Sequence, residues 1–233
     1  MPADEAIVLA GGFGTRLQSV VSDVPKPLAP VAGRPFLAWL LDRMAAQGMR
    51  RCILATGYLA EVVERSIGTQ WQGMAIGYSV EDTPLGTGGA IRRAASRLHG
   101  DGVHVLNGDT WLDYPLPALE QATRGAGASI GIALARVEDV ARYGSVDVEA
   151  GRVRAFREKG DAGAGWINGG CYFLTSPALH ALPVRDAFSF EQSVLEPLAA
   201  QGEVAAFTET AGFIDIGVPE DYARAQSWFG PAA

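Results

Sequence analysis

The sequence predicts an α/β fold: a single Rossmann-like domain with a mostly parallel mixed sheet flanked by helices. Three observations carry that prediction. Short, largely apolar runs such as Ala6-Ile7-Val8-Leu9 and Val103-His104-Val105-Leu106 read as strands buried on both faces. Segments with apolar residues at helical spacing stand between them. No linker, repeat or low-complexity tract interrupts the 233 residues, a length that one large domain accommodates.

Glu5 to Ala10 reads as the first strand and runs into Gly11 and Gly12. Pro35 to Gln47 is helical, because Phe36, Leu37, Leu40, Leu41 and Met44 share one face and Gly48 is a natural terminator. Arg51 to Thr56 is the next strand, Ala60 to Ile67 a short helix, and Met74 to Val80 a further strand. Thr87 to Leu98 reads as a helix followed by Gly100, and Val103 to Leu106 as a buried strand ending in Asn107-Gly108-Asp109. The second half is richer in strands: Ala128 to Ala135, Ser145 to Val148, Arg152 to Phe156 and Trp166 to Leu174, with a hairpin turn at Glu149-Ala150-Gly151. Helices follow at Phe190 to Ala200 and Pro219 to Trp228, with short strands around Phe207 and at Gly212 to Ile216. The chain therefore reads as one domain over 1–233, with an alternating half at about 1–115 and a β-rich half at about 116–233.

Composition removes several classes of function. With 19 basic and 26 acidic residues the net charge is −7, which argues against a general nucleic-acid backbone binder. A nucleotide needs only a few local cations and stays admissible. No run of eighteen apolar residues predicts a membrane span, and Asp4 and Glu5 stand where a secretory signal would be basic, so a cytoplasmic protein is expected. Cys52 and Cys171 lie far apart inside apolar runs and read as buried free thiols. His99, His104 and His180 share no ligand spacing, and His104 reads as a strand position.

The chemistry begins at Leu9-Ala10-Gly11-Gly12-Phe13-Gly14-Thr15-Arg16-Leu17. Glycines after a strand present backbone N–H groups to an anion. The dinucleotide fingerprint is broken, because its third glycine would fall at Leu17; the P-loop pattern lacks its Gly-Lys-Ser/Thr. Taken alone, the loop also reads as a plain turn. Arg16 and Lys26 change that balance. Pro25 and Pro27 restrict the backbone on both sides of Lys26, and a glycine cradle with two cations is able to neutralise a polyphosphate.

Together with the segment Pro25-Lys26-Pro27-Leu28-Ala29-Pro30-Val31-Ala32-Gly33-Arg34-Pro35, the glycine loop resembles the sugar-1-phosphate nucleotidylyltransferases. The resemblance continues through Glu81 to Ala90, Asn107-Gly108-Asp109, Arg157-Glu158-Lys159, Asn168-Gly169-Gly170 and Phe213 to Gly217, in the family's order and over nearly the whole chain. It implies the nucleotide-diphospho-sugar transferase fold and the reaction of an NTP with a sugar 1-phosphate to give NDP-sugar and pyrophosphate. Arg16 and Lys26 would neutralise the phosphates, and Asp109 would act with them. Leu9, Ala10, Gly11, Gly12, Gly14, Thr15, Glu81, Pro84, Gly86, Thr87 and Gly108 would contact the nucleotide. Gly144, Glu158, Lys159, Asn168 and Gly169 would contact the sugar phosphate. Asp109 and Asp215, two hard carboxylates from separate strands, would hold Mg²⁺. Gly160 stands where many relatives have proline, which alters the expected loop shape beside Lys159.

Within the family the resemblance is greatest to members that transfer GMP from GTP to a heptose 1-phosphate for a surface glycan. Glu81 suits the N1–H and N2–H₂ donors of guanine, for which uracil has no exocyclic counterpart. Mannose 1-phosphate guanylyl transfer, N-acetylmuramate 1-phosphate uridylyl transfer and a silent nucleotide-sugar-sensing subunit are the competing readings. The expected partners are GTP and the sugar 1-phosphate, with neither nucleic acid nor membrane; a homo-oligomer is left open.

Overall fold

The computed structural model describes residues 2–12, 24–160 and 162–230. In the first half, β1 (Glu5–Leu9), a 3₁₀ turn (Lys26–Leu28), β2 (Pro30–Val31), β3 (Arg34–Pro35) and α1 (Phe36–Ala46) come first. They are followed by β4 (Arg51–Thr56), α2 (Ala60–Ile67), β5 (Gln70–Trp71), β6 (Met74–Val80), α3 (Gly86–Ala95), β7 (Gly102–Asn107) and β8 (Thr110–Asp113). The second half holds α4 (Leu116–Gly125), β9 (Ile130–Val137), β10 (Val146–Glu149), β11 (Arg152–Phe156), β12 (Gly165–Thr175) and α5 (Ser176–His180). A π turn (Glu191–Leu195), α6 (Glu196–Ala200), β13 (Val204–Phe207), β14 (Ala211–Asp215) and α7 (Pro219–Phe229) complete it.

One ten-stranded sheet runs in the order β10-β11-β13-β9-β12-β7-β1-β4-β6-β5. Its centre, β7-β1-β4-β6, is parallel throughout, as the alternating half predicts. β12 joins that block antiparallel to both β7 and β9, so the β-rich half extends the same sheet instead of forming a second one. Ala6 and Val8 pack on one face of the sheet with Phe36, Leu37, Leu40 and Leu41 of α1. Ile7 packs on the other with Ala90, Ile91 and Ala94 of α3. Both faces are covered, which is why β1 is apolar without alternation. Among the described residues no helix is long and apolar enough to cross a membrane.

Most bounds agree with the sequence reading, and β4, α2, β6 and β11 agree residue for residue. Three differences have physical causes. α4 is not visible in the sequence because its buried face carries Glu120 and Thr123 beside Leu116 and Leu119. Glu120 is accommodated there by accepting from the Ala3 amide at 2.8 Å and from Arg124 at 2.8 Å. The helix expected over Phe190 to Ala200 is continuous, but its first part, Glu191–Leu195, is wound as a π turn before α6 begins at Glu196 with Pro197 in its first turn. β8 is too short for a periodic signal; it pairs antiparallel with β14 in a separate two-stranded sheet.

Cys52 and Cys171 are buried free thiols. His104 is fully buried against Phe173, with ring centroids 5.0 Å apart, and neither ring nitrogen has a hydrogen-bond partner among the described residues. Burial, helped by the nearby Arg124 charge, lowers its pKa from 6.5 to about 3. The unfolded chain therefore takes up a proton below pH 6.5 that the folded chain refuses until about pH 3. Over that window this residue should cost about 1.4 kcal/mol of stability per pH unit. Urea unfolding of His104→Leu from pH 7 to pH 4 should show a flatter decline than the parent; equal slopes would refute the assignment.

Candidate active site

The carboxyl ends of β1, β4 and β7 open into one cavity of about 310 Å³. That is where an open parallel sheet places its ligands. Leu9, Ala55 and Ala90 supply an apolar wall suited to a flat ring, and Gly11, Gly12, Glu81, Pro84, Gly86, Thr87, Asn107 and Asp109 complete the lining. Strand register brings these segments together: Leu9 pairs with both Ala55 and Asn107, and the Glu81 amide donates to the Thr56 carbonyl at 2.7 Å. Ala10 and Gly108 serve the walls through their backbones. The Ala10 amide donates to the Ala55 carbonyl and the Gly108 amide to the Leu9 carbonyl.

A charged cluster forms at the Asp109 edge of this cavity. Lys26 stands in the 3₁₀ turn between Pro25 and Pro27, and only 11% of its side chain is exposed. Its ammonium donates to Asp109 Oδ2 and lies 3.9 Å from Asp215 Oδ1. The two aspartates meet because β8 and β14 pair: Asp215 is opposite Thr110, and the Ile216 amide donates to the Asp109 carbonyl at 3.0 Å. Asp215 Oδ1 also accepts from the Gly217 amide at 2.7 Å. Arg43 from α1 secures the other end of β8 by donating to the carbonyls of Leu112 and Tyr114.

Glu81 is half-buried, and one of its oxygens accepts from the Leu85 amide at 2.9 Å. Burial raises its carboxyl above the usual range, against the lowering effects of that amide and the Arg93 charge. Thr87 does not cap α3. The cap position is Leu85, and the Thr87 hydroxyl donates to Glu191 at 2.6 Å while accepting from the Phe190 amide. The glycines here serve close packing as well as the cavity. A Cβ at Gly86, whose φ is +67°, would stand 2.6 Å from the Phe188 carbonyl oxygen, and one at Gly88 would overlap the Phe188 ring.

Among the residues that the family resemblance assigns to the sugar phosphate, Gly144 has φ +80°, and a Cβ there would stand 2.5 Å from the Arg157 carbonyl oxygen. It therefore abuts the backbone leading into Glu158 and Lys159, both of which are exposed. The neighbouring Tyr143 and Arg142 are tied to the buried Asp221 of α7. Asn168 and Gly169 begin an irregularity in β12 at which the register to β9 shifts before Cys171. That irregularity borders the cavity, because a Cβ at Gly170 would stand 2.5 Å from Asn107 Nδ2. Gly169 itself is buried against Leu112 and Ala133.

The nucleotidyl transferase family profile matches residues 5–229. The chain belongs to the nucleotidyl transferase family. It is 41% identical over 222 residues to D-glycero-α-D-manno-heptose 1-phosphate guanylyltransferase of Aneurinibacillus thermoaerophilus, covering 95% of this chain and 96% of that one. It is 38% identical over 225 residues to mannose-1-phosphate guanylyltransferase of Mycobacterium tuberculosis, covering 94% of this chain and 63% of that one. The crystal structure of HddC from Yersinia pseudotuberculosis complexed with GMP-PN superposes with a TM-score of 0.86 at 37% identity, over 97% of this chain and 100% of that one.

For this nucleotidyl transferase, Lys26, Asp109 and Asp215 converge, and Leu9, Gly11, Gly12, Glu81, Pro84, Gly86 and Thr87 line the cavity that the sequence assigns to the nucleotide. Gly14, Thr15 and Arg16 lie outside the described residues. Sequence reasoning missed Arg43 and Glu191, neither of which has a local pattern of its own; Gly217 belongs to the Phe213 to Gly217 motif but was given no role. A Cβ at Gly217 would stand 2.5 Å from Lys26 Nζ and 2.7 Å from Asp215 Oδ1. Both are side-chain termini that can shift, so Gly217→Ala should leave the melting temperature nearly unchanged. The displaced charges should lower kcat by about a hundredfold, the usual consequence of misplacement near 1 Å. Wild-type kcat in a folded Gly217→Ala protein would show that this convergence is not needed for turnover.

Proposed function

We propose that this chain transfers GMP from GTP to D-glycero-α-D-manno-heptose 1-phosphate, giving GDP-heptose and pyrophosphate. The observation that carries nucleotidyl transfer is the meeting of Lys26, Asp109 and Asp215 at the edge of a ring-sized, partly apolar cavity. The choice of guanine and heptose rests on the Aneurinibacillus relative, similar over nearly the full length of both chains. The Mycobacterium relative supports mannose 1-phosphate as the second reading.

In this reading a sugar phosphate oxygen attacks the α-phosphorus of GTP, and the bond to the bridging oxygen of pyrophosphate breaks. No side-chain nucleophile is required, so positioning and charge neutralisation carry the catalysis. Lys26 meets the charge that develops on the α-phosphate, and Arg16 holds the departing pyrophosphate. Gly11, Gly12, Gly14 and Thr15 present the loop to the phosphates, while Glu81 accepts from the guanine edge. Glu158 accepts from sugar hydroxyls, Lys159 binds the sugar phosphate, and Gly144, Asn168 and Gly169 border the sugar. Residues of about 1–115 thus serve the nucleotide and about 116–233 the sugar, with the reaction in the cytoplasm.

Two carboxylate oxygens directed at one ammonium form a hard donor set of the kind that suits Mg²⁺, with phosphates and water completing its shell. Asp109 and Asp215 would hold the ion, and its charge would offset that of the phosphates.

The deciding experiment is a matrix of GTP, UTP, ATP and dTTP against heptose, mannose and N-acetylmuramate 1-phosphates, read as pyrophosphate release. GTP with the heptose 1-phosphate should give the highest kcat/KM; equal values for GTP and UTP would sink the guanine assignment. Glu81→Gln should cut the preference for GTP over UTP by about 10- to 100-fold, since a charge-assisted hydrogen bond is worth ~1.5–3 kcal/mol. Because burial raises the Glu81 carboxyl, it gains its proton at higher pH than an ordinary glutamate. GTP binding should therefore weaken as pH falls into the mildly acidic range, and Glu81→Gln should lack that limb.

The two lysines should fail differently. Lys26→Met should lower kcat strongly with a smaller effect on the sugar phosphate KM, whereas Lys159→Met should mainly raise that KM. Arg at position 159 should restore only part, because a planar fork does not reproduce a compact ammonium. Loss of GTP binding in Lys159→Met, with the sugar phosphate KM spared, would reverse the two assignments.

A further inference from the structure

Glu191 joins the nucleotide-side and sugar-side regions through a continuous set of hydrogen bonds. It opens the π turn, a rare geometry that recurs at functional sites. Its Oε2 accepts from the Thr87 hydroxyl at 2.6 Å and from the Ser189 hydroxyl at 2.9 Å. Its Oε1 accepts from the Tyr172 phenol at 3.4 Å. Thr87 lines the cavity, and its segment is braced from the same side: the Gly88 amide donates to the Phe188 carbonyl at 2.9 Å, and the Phe188 amide to the Leu85 carbonyl at 2.9 Å.

At the other end of the set, Tyr172 is 1% exposed and stacks edge-on against Phe190. Its oxygen lies 2.9 Å from Asn168 Nδ2 and 3.1 Å from Asn168 Oδ1, while Asn168 Oδ1 accepts from the Gly170 amide at 2.8 Å. The phenol has one proton and two candidate acceptors. The shorter contact is to Asn168 Nδ2, and Asn168 Oδ1 is already taken by the Gly170 amide, so the phenol oxygen accepts from Asn168 and its proton points to the Glu191 carboxylate. The phenol oxygen is then an acceptor for Asn168, which fixes Nδ2 toward Tyr172 and Oδ1 toward Gly170. Remove the carboxylate, and the phenol proton can turn to Asn168 Oδ1, so the Tyr172–Asn168 bond reverses and Nδ2 loses its acceptor.

We propose that Glu191 is a positioning residue that couples the two substrate regions. It holds Thr87 on the nucleotide side and, through Tyr172, sets the amide orientation of Asn168 on the sugar side. The assignment of those two sides rests on the proposed function.

The test is backbone hydrogen exchange with a non-hydrolysable GTP analogue and no sugar phosphate. In the parent protein the analogue should slow exchange over residues 84–90 and also over residues 168–172, the latter by about fivefold or more, the lower range of typical site-to-site coupling. Glu191→Ala should keep the first effect and lose the second. Glu191→Gln should restore most of it, since its carbonyl can accept from Tyr172 and its amide can donate to the rotatable hydroxyls of Thr87 and Ser189. Tyr172→Phe, which deletes only the phenol oxygen, should behave like Glu191→Ala and keeps the test decisive if the alanine variant does not fold. Slowing at 168–172 that survives both Glu191→Ala and Tyr172→Phe would overturn the proposal. So would a parent protein that shows slowing at 84–90 alone. A parent protein with no slowing at 84–90 would instead refute the nucleotide reading, and the coupling would fall with it.

Discussion

Lys26 lies between Asp109 and Asp215 and offsets the charge that these two carboxylates bring into one small, partly buried space. Two like charges brought this close in a medium less polar than water repel each other. The ammonium removes that repulsion, and several distant segments converge to keep it in place. Pro25 and Pro27 hold Lys26 in a tight turn, β8 and β14 pair to bring the aspartates side by side, and Gly217 leaves room for Nζ. Arg43 reaches from α1 to the carbonyls of Leu112 and Tyr114, so the main core helix also braces the strand that follows Asp109.

The cavity beside it divides its work between shape and charge. Leu9, Ala55 and Ala90 make a surface on which a flat ring loses little hydration, and Glu81 adds one charged acceptor whose other oxygen is already engaged with the Leu85 amide. That hydrogen bond orients the carboxylate before any ligand arrives. Its raised proton affinity records the cost of keeping a charge half out of water.

How far the sequence reveals all this depends on the range of the interaction. β1, β4, α2 and β6 are legible because each is set by its own apolar pattern. α4 is hidden because its inward face contains Glu120 and Thr123, whose partners are distant or within its own backbone. Lys26 stands out because its two prolines are neighbours in sequence, but the meeting of Asp109 and Asp215 depends on a pair of strands far apart in the chain. Gly86 reads in the sequence as a nucleotide contact; in the fold, Gly86 and Gly88 also admit Phe188. A glycine needed for close packing and one needed for a ligand carry the same letter. Glu191 is less legible still, because nothing near it in the chain indicates that Thr87 and Tyr172 are its partners.

The last helix shows how the charged edge and the Tyr143–Gly144 loop are kept in one frame. On one side of α7, Gln226 accepts from the Ala32 amide and donates to the Pro30 carbonyl, which also accepts from the Tyr222 hydroxyl. These bonds hold the β2–β3 hairpin that follows Lys26. On another side, the buried Asp221 accepts from Arg142 and Tyr143, next to Gly144, and pairs with Arg224. The helix end is anchored by Phe229, whose ring packs against Phe36, Trp39 and Trp111. Asp221 would be a costly buried charge on its own, and with two arginines and a phenol around it the charge is neutralised where the loop must be held. Residues at the far end of the chain therefore fix the spacing between the lysine turn and the Tyr143–Gly144 loop. A transferase acting on two substrates needs that spacing set before either of them binds.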